Sequence, residues 1–159
     1  MAVVAIGRTF FDTSALLGGL IELGPATSAA QAVMTAVSER RVPRPHTAWH
    51  CCLEFYAVAT RLPEEVRLAP ADAWRLLQAE VLTRFVVHQL AEEARIEFLQ
   101  AAVEVRVAGG RIYDAHIADI ARLAGARIVV TDNVRHSLDL RRQGVRVMSA
   151  ADFVDDILA

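Results

Sequence analysis

Four carboxylates stand where a folded chain would expose them to a ligand. Asp12 closes the apolar, aromatic run over residues 7–11, and Asp132 closes the run 127–130 through Thr131. In an open α/β sheet, ligands collect at the carboxyl ends of strands, so acids at predicted strand ends are less easily read as solvation than other surface acids. Glu54 interrupts the apolar stretch Cys51-Cys52-Leu53-Glu54-Phe55-Tyr56-Ala57-Val58, and an unpaired buried carboxylate is expensive. Asp114 opens the helical pattern Tyr113-Asp114-Ala115-His116-Ile117-Ala118, where favouring the helix dipole or capping would be its ordinary role. Brought together, such acids repel unless a cation lies between them, and Mg²⁺ or Mn²⁺ suits sparse oxygen ligation with retained water. Water activated by such an ion cleaves phosphodiesters, and few other chemistries need only acids.

The elements that must position these residues follow from periodicity and punctuation. A strand over 7–11 runs into Asp12-Thr13-Ser14 and a capped helix; after Gly24-Pro25 a helix over 28–40 follows, then a short extended piece from Val42 closed by Pro43-Arg44-Pro45. A long helix over 47–62 carries Glu54, with His46 at its start, and Pro63 stops it. Pro70 opens a helix through about Leu82, Phe85-Val86-Val87 reads as a strand, and a helix over 91–107 ends at Gly109-Gly110. Next come a helix over 114–124 closed by Gly125, a buried strand over 127–130, a short helix, a strand over 145–148 and a terminal helix over 150–158 capped by Ser149. This alternation predicts an α/β fold, a three-layer sandwich with a mainly parallel central sheet, and 159 residues without a break in composition predict a single domain over 1–159.

Composition limits the partners. With 54% hydrophobic and 23% charged residues the chain folds, and a net charge of -2 gives no global attraction to nucleic acid or anionic lipid, so a polyanion needs a local site. Arg8, Asp12, Glu22 and Glu39 break the most apolar third below the ~18 residues of a membrane span, so no membrane association is expected. No basic segment precedes the first apolar run, and the paired Cys51 and Cys52 do not form a disulfide framework; the expectation is a cytoplasmic protein. The 17 basic residues are all arginine, which reads as codon composition.

The combination of Phe11-Asp12-Thr13-Ser14-Ala15-Leu16-Leu17, Leu53-Glu54 with Val58 and Arg61-Leu62, Tyr113-Asp114-Ala115-His116-Ile117-Ala118, and Val129-Val130-Thr131-Asp132-Asn133-Val134-Arg135-His136 resembles the PIN-domain ribonucleases, particularly the VapC-type toxins. Each piece is weak alone, but the four in this order, separated by 42, 60 and 18 residues, cover essentially the whole chain. The resemblance implies a parallel-sheet sandwich, a divalent-metal-dependent endoribonuclease acting on RNA, a homodimer, and neutralisation by a small antitoxin. It assigns Asp12, Glu54 and Asp114 as acidic ligands, with Thr13 or Ser14 and Thr131 as supporting polar residues. In the family, Asp or Asn stands at the second position after the strand-end threonine; here that position is Asn133, the acid Asp132 is one place early, and His136 stands where many relatives have another acid. The expected site has Asp12, Glu54, Asp114 and Asp132 as catalytic and metal-binding residues, with Thr13, Ser14, Thr131 and Asn133 behind them. Asp132 is favoured over Asn133 because a carboxylate binds a hard cation more strongly than an amide.

Other features carry less. His46 and His50 beside the cysteines suggest zinc, but adjacent cysteines cannot both face the histidines, so the cysteines read as core. His50 and Glu54 share a helix face, which leaves His50 as a structural histidine or a border of the acidic cleft. The clusters Arg40, Arg41, Arg44 and Arg135, Arg141, Arg142, Arg146 read as solvated faces able to hold RNA phosphates, and Trp49, Trp74, Phe98 and Phe153 as core or dimer contacts. An aspartyl-phosphate phosphotransferase would want an acid at Ser14 and a lysine. A non-catalytic RNA- or protein-binding module on the same fold is the rival that the displaced fourth acid favours.

Overall fold

A computed structural model describes residues 6–159; the first residues, on which the expectation of a cytoplasmic protein partly rests, lie outside that range. Five three-residue strands, β1 (Thr9–Phe11), β2 (His46–Ala48), β3 (Val86–His88), β4 (Ile128–Val130) and β5 (Arg146–Met148), form one parallel sheet in the order β3-β2-β1-β4-β5. The register is unbroken across the centre: Phe10 lies beside His46 on one side and Val129 on the other, and Val129 beside Val147. Strands covered on both faces read as continuous apolar runs, and β1 and β4 are buried throughout.

The helices are α1 (Thr13–Leu20), α2 (Ser28–Ser38), α3 (Trp49–Ala59), α4 (Pro70–Leu76), α5 (Glu92–Glu104), α6 (Arg111–Leu123), α7 (Leu138–Arg142) and α8 (Ala150–Phe153). Two of them continue into wider π-helical turns, α4 through Leu77–Leu82 and α8 through Val154–Leu158. Asp12 is the N-cap of α1, and the Ser149 hydroxyl caps α8 by accepting from the Asp152 N–H at 3.1 Å. Phe11, fully buried, meets Phe85 and Phe153 edge to face at 5.5 and 6.1 Å. Gly19 lets α1 approach α2, since a Cβ there would fall 2.1 Å from Met34 Cγ.

The expected sandwich is present, with two corrections in its second strand. The extended piece from Val42 is a loop in which Val42 and Pro45 are buried and Pro43 and Arg44 exposed, and the strand is His46–Ala48. Strand β2 is paired on both sides, so Pro43 and Pro45, which lack N–H donors, cannot lie inside it. His46 and Thr47 belong to that strand rather than to the long helix, which runs only from Trp49 to Ala59 and leaves Arg61 beyond its end. Among the described residues no helix is long and apolar enough to cross a membrane.

The sheet order has a functional consequence. From β1 the chain builds outward to β2 and β3, then returns to the other side of β1 for β4 and β5. The junction of β1 and β4 is the switch point of the sheet, the place where crevices open at the carboxyl ends of strands. Asp12 and Thr131 immediately follow those two strands.

Candidate active site

Asp12 is half-buried at the end of β1, and its backbone N–H extends the ladder to Val130 O at 3.0 Å. The Thr13 N–H donates to its Oδ1 and the Thr131 hydroxyl to its Oδ2, both at 2.7 Å. Burial pushes the Asp12 carboxyl above its usual range; these two hydrogen bonds oppose the rise, and the charges of Glu54 and Asp114 add to it. Glu54 and Asp114, two of the other three expected acids, therefore both act on Asp12.

Glu54 comes from α3 and Asp114 from the first turn of α6. The Thr13 hydroxyl donates to Glu54 Oε2, and His50 Nε2 lies 3.5 Å from Oε1, one turn earlier on the same helix face. The His50 hydrogen bond, with help from Thr13, holds the Glu54 carboxyl below its ordinary range against the opposing effect of burial. Thr13 therefore touches both acids, with its N–H on Asp12 and its hydroxyl on Glu54. Ser14 lies 3.4 Å from the Thr131 hydroxyl and accepts from the Asp132 N–H at 2.9 Å, tying the turn after β4 to the start of α1.

The fourth corner differs from the expectation in its contacts. Asp132 lies at the same sheet end, but its link to the cluster is its backbone N–H; its side chain is exposed and has no hydrogen bond to the other acids among the described residues. Asn133 is turned to the recess: its N–H donates to Thr131 Oγ1 at 3.0 Å, and its amide lies 2.7 Å from His136 Nδ1. That nitrogen is in turn 3.1 Å from Asp114 Oδ2. Neighbours in an extended segment point to opposite faces, so presenting Asn133 turns Asp132 away.

Asp12, Asp114, Thr131, Asn133 and His136 line a recess of about 20 Å³, room for one water-sized species. Among the described residues no group of three or more His, Cys, Asp or Glu side chains is placed to hold a metal ion. The donor set nevertheless fits a hard divalent cation held by one or two carboxylates and completed by water, as Mg²⁺ prefers. An adjoining cleft of about 410 Å³ shares Asp114 and His136 with the recess and is bordered by Arg111, Arg135 and Arg142.

The remaining expected features separate. Cys51 and Cys52 are buried, and burial pushes their thiols up to about 12 and about 11, so they stay protonated core residues. His46 and His50 lie on different elements: His46 stacks on His88, and His50 Nδ1 meets His116 Nδ1 at 2.7 Å. Of the arginines, Arg41, Arg142 and Arg146 form ion pairs with Glu39, Asp139 and Asp156. Phe153 is core, whereas Trp49 and Trp74 are 42% and 45% exposed around a surface recess with Leu53 and Tyr56. The reading from sequence missed the His50–His116 pair, whose members are 66 residues apart, although the shared face of His50 and Glu54 was its one visible half.

A family model described as PIN domain matches residues 8–135. Ribonuclease VapC27 of Mycobacterium tuberculosis (strain ATCC 25618 / H37Rv) is 36% identical over 103 residues, covering 64% of this chain and 72% of that protein. Among solved structures, Mycobacterium tuberculosis VapC20, described as a Sarcin-Ricin loop cleaving toxin, superposes with a TM-score of 0.63 at 15% identity over 87% of this chain and 96% of that one. FitAcB from Neisseria gonorrhoeae does so with a TM-score of 0.59 at 13% identity, over 91% and 99%. At these identities the two structures show a common fold.

Proposed function

The chain belongs to the PIN-domain family, and on that premise we propose that it is a divalent-metal-dependent endoribonuclease, the toxin of a toxin–antitoxin pair. The observation that carries the reading is the convergence of Asp12, Glu54 and Asp114 at the β1–β4 switch point, with Asp12 held from both sides by Thr13 and Thr131. Asp12 and Asp114 would hold Mg²⁺ or Mn²⁺ at the recess between them, and the bound ion would supply an activated water and charge for the leaving oxygen. Hydrolysis there would join a water oxygen to phosphorus as the P–O bond to the leaving ribose breaks, with the proton lost by the water passing in net to the leaving oxygen. Thr13 and Thr131 fix the Asp12 oxygens, Glu54, tied to Asp12 through Thr13, adds negative charge beside it, and Asn133 would offer a neutral oxygen to water or phosphate in the place first assigned to Asp132. Arg111, Arg135 and Arg142 border the path by which RNA phosphates reach the acids despite the net negative charge.

The partners we propose are RNA, a small antitoxin and a second copy of the chain, in the cytoplasm. Exposed apolar side chains support protein contacts: Ile96, Leu99 and Val103 form a stripe along α5, and Trp49, Leu53, Tyr56 and Trp74 form a second patch. An antitoxin arginine or lysine reaching Asp12 and Asp114 would replace the cation. The neutral Asn133 at the fourth corner keeps a non-catalytic binding module as the second reading. Incubating purified protein with end-labelled RNA in Mg²⁺ or in EDTA separates the two, because only the enzyme gives cleavage that chelation stops.

A further inference from the structure

A second groove, of about 350 Å³, opens between α5 and α6 beside His50 of α3, and it is lined by His50, Arg95, Phe98, Leu99, Tyr113 and His116 among others. We propose that it is a stacking subsite for one unpaired base of the RNA whose phosphate lies on the acids. The assignment rests on the ribonuclease reading and adds a recognition element to it.

Three observations point to a base. First, the groove is joined to the acids: His50 forms part of its wall and lies 3.5 Å from Glu54, and Tyr113 immediately precedes Asp114 on α6. A nucleotide whose phosphate sits at Asp114 therefore has this groove within reach of its base. Second, the wall is aromatic. His50 and Tyr113 lie 5.7 Å apart between centroids, Phe98 and His116 5.3 Å, and Tyr113 is 57% exposed. Rings presented in this way stack on any base, since every base has a π-face. Third, the groove carries a cation in its wall. Arg95 Nε donates to Leu90 O, and among the described residues its guanidinium forms no ion pair, so it is available to the phosphate next along the strand. The recess at Trp49 and Trp74 is also aromatic, but it holds only about 100 Å³ against about 350 Å³ and has no charged residue in its wall to meet a phosphate. A base paired in a duplex presents no free face, so the subsite selects unpaired nucleotides.

The test uses the full-length protein with 12-nucleotide single-stranded oligo(U), with and without one 5-bromouridine. Expected for Tyr113→Ala is a KM about tenfold higher with kcat within about twofold, while Tyr113→Phe stays close to wild type. Ultraviolet cross-linking followed by trypsin should place the label on the peptide Ile112 to Arg122 or Ile96 to Arg106. Unchanged KM in Tyr113→Ala, or a cross-link elsewhere, overturns the subsite. So does a loss of oligomeric mass in Tyr113→Ala with the cross-link retained at its wild-type yield, which would make this face a contact between copies. If the wild-type protein cleaves no RNA, the ribonuclease reading fails by itself, and the position of the cross-link still decides whether a base occupies the groove.

Discussion

The Thr131 hydroxyl, at the end of β4, donates to Asp12 Oδ2, at the end of β1, at 2.7 Å. One hydrogen bond thus spans the switch point of the sheet and aims the carboxylate on which the proposed chemistry depends. A hydrogen bond to a charged group is worth about 1.5–3 kcal/mol, and with Thr131 removed the nearest remaining donor to that oxygen is Ser14 at 3.5 Å. Thr131→Val is expected to lower RNA cleavage about tenfold while the protein stays folded at room temperature, as circular dichroism and a cleavage time course would show. Thr131→Ser should recover most of the activity.

Asp12 itself is held at a cost in stability. Its carboxyl pKa is raised above the unfolded value of 3.8, first by burial, so between those two pKa values the native state binds a proton that the unfolded state lacks. Stability therefore declines as pH rises through that window, and ionised Asp12 destabilises the metal-free protein at neutral pH. Asp12→Asn, which keeps a good helix cap, is expected to raise Tm by a few degrees in EDTA at pH 7, and the difference should shrink as Mg²⁺ stabilises only the wild type. A Tm lowered by several degrees would mean that Asp12 is chiefly a structural residue.

A second pH effect arises away from the acids. His46, buried in β2 and stacked on His88, is lowered to about 4, first by burial and then by His88, Arg8 and Arg44, against 6.5 unfolded. Here the unfolded state takes up the proton first, so the contribution of a neutral His46 is complete above 6.5 and is lost as pH falls toward 4. Urea unfolding between pH 7.5 and 4.5 should show stability falling by about 1.4 kcal/mol per pH unit at most from this residue. His46→Gln should flatten that slope; an equal slope in the variant would place its origin elsewhere.

The fourth corner can be read from two substitutions. Asn133→Ala is expected to reduce cleavage about tenfold or more and to weaken Mn²⁺ binding, because it removes the amide that contacts His136 and faces Asp114. Asp132→Asn leaves the Ser14 contact intact, since that contact uses the backbone N–H, and should stay within about twofold of wild type. The opposite ranking would restore Asp132 to the place that charge alone suggested.

These residues also mark where local pattern suffices and where it does not. Asp12 and the strand before it were legible because a buried parallel strand is a continuous apolar run, and its end is marked by the first polar cluster. The junction at residues 42–48 was misread because a three-residue strand passes directly into α3, leaving no polar break, while Val42 beside the prolines mimicked an extended piece. Trp49 and Trp74 share helical spacing with core residues, yet both are exposed, since periodicity shows which residues share a face and not whether the face is covered. The choice between Asp132 and Asn133 depends on how the chain turns after β4. The His50–His116 contact depends on the packing of α3 beside α6. Neither leaves a mark in local spacing.

Metal-dependent RNA cleavage is the most direct test of the proposed function. Purified wild-type protein is expected to cut end-labelled single-stranded RNA in Mg²⁺ or Mn²⁺, to stop in EDTA and resume on adding the metal back, while folded Asp12→Asn and Asp114→Asn samples are inactive. Cleavage that persists in EDTA or in both folded variants, or no cleavage by folded wild-type protein at saturating Mn²⁺, would contradict a metal-dependent nuclease built on these acids.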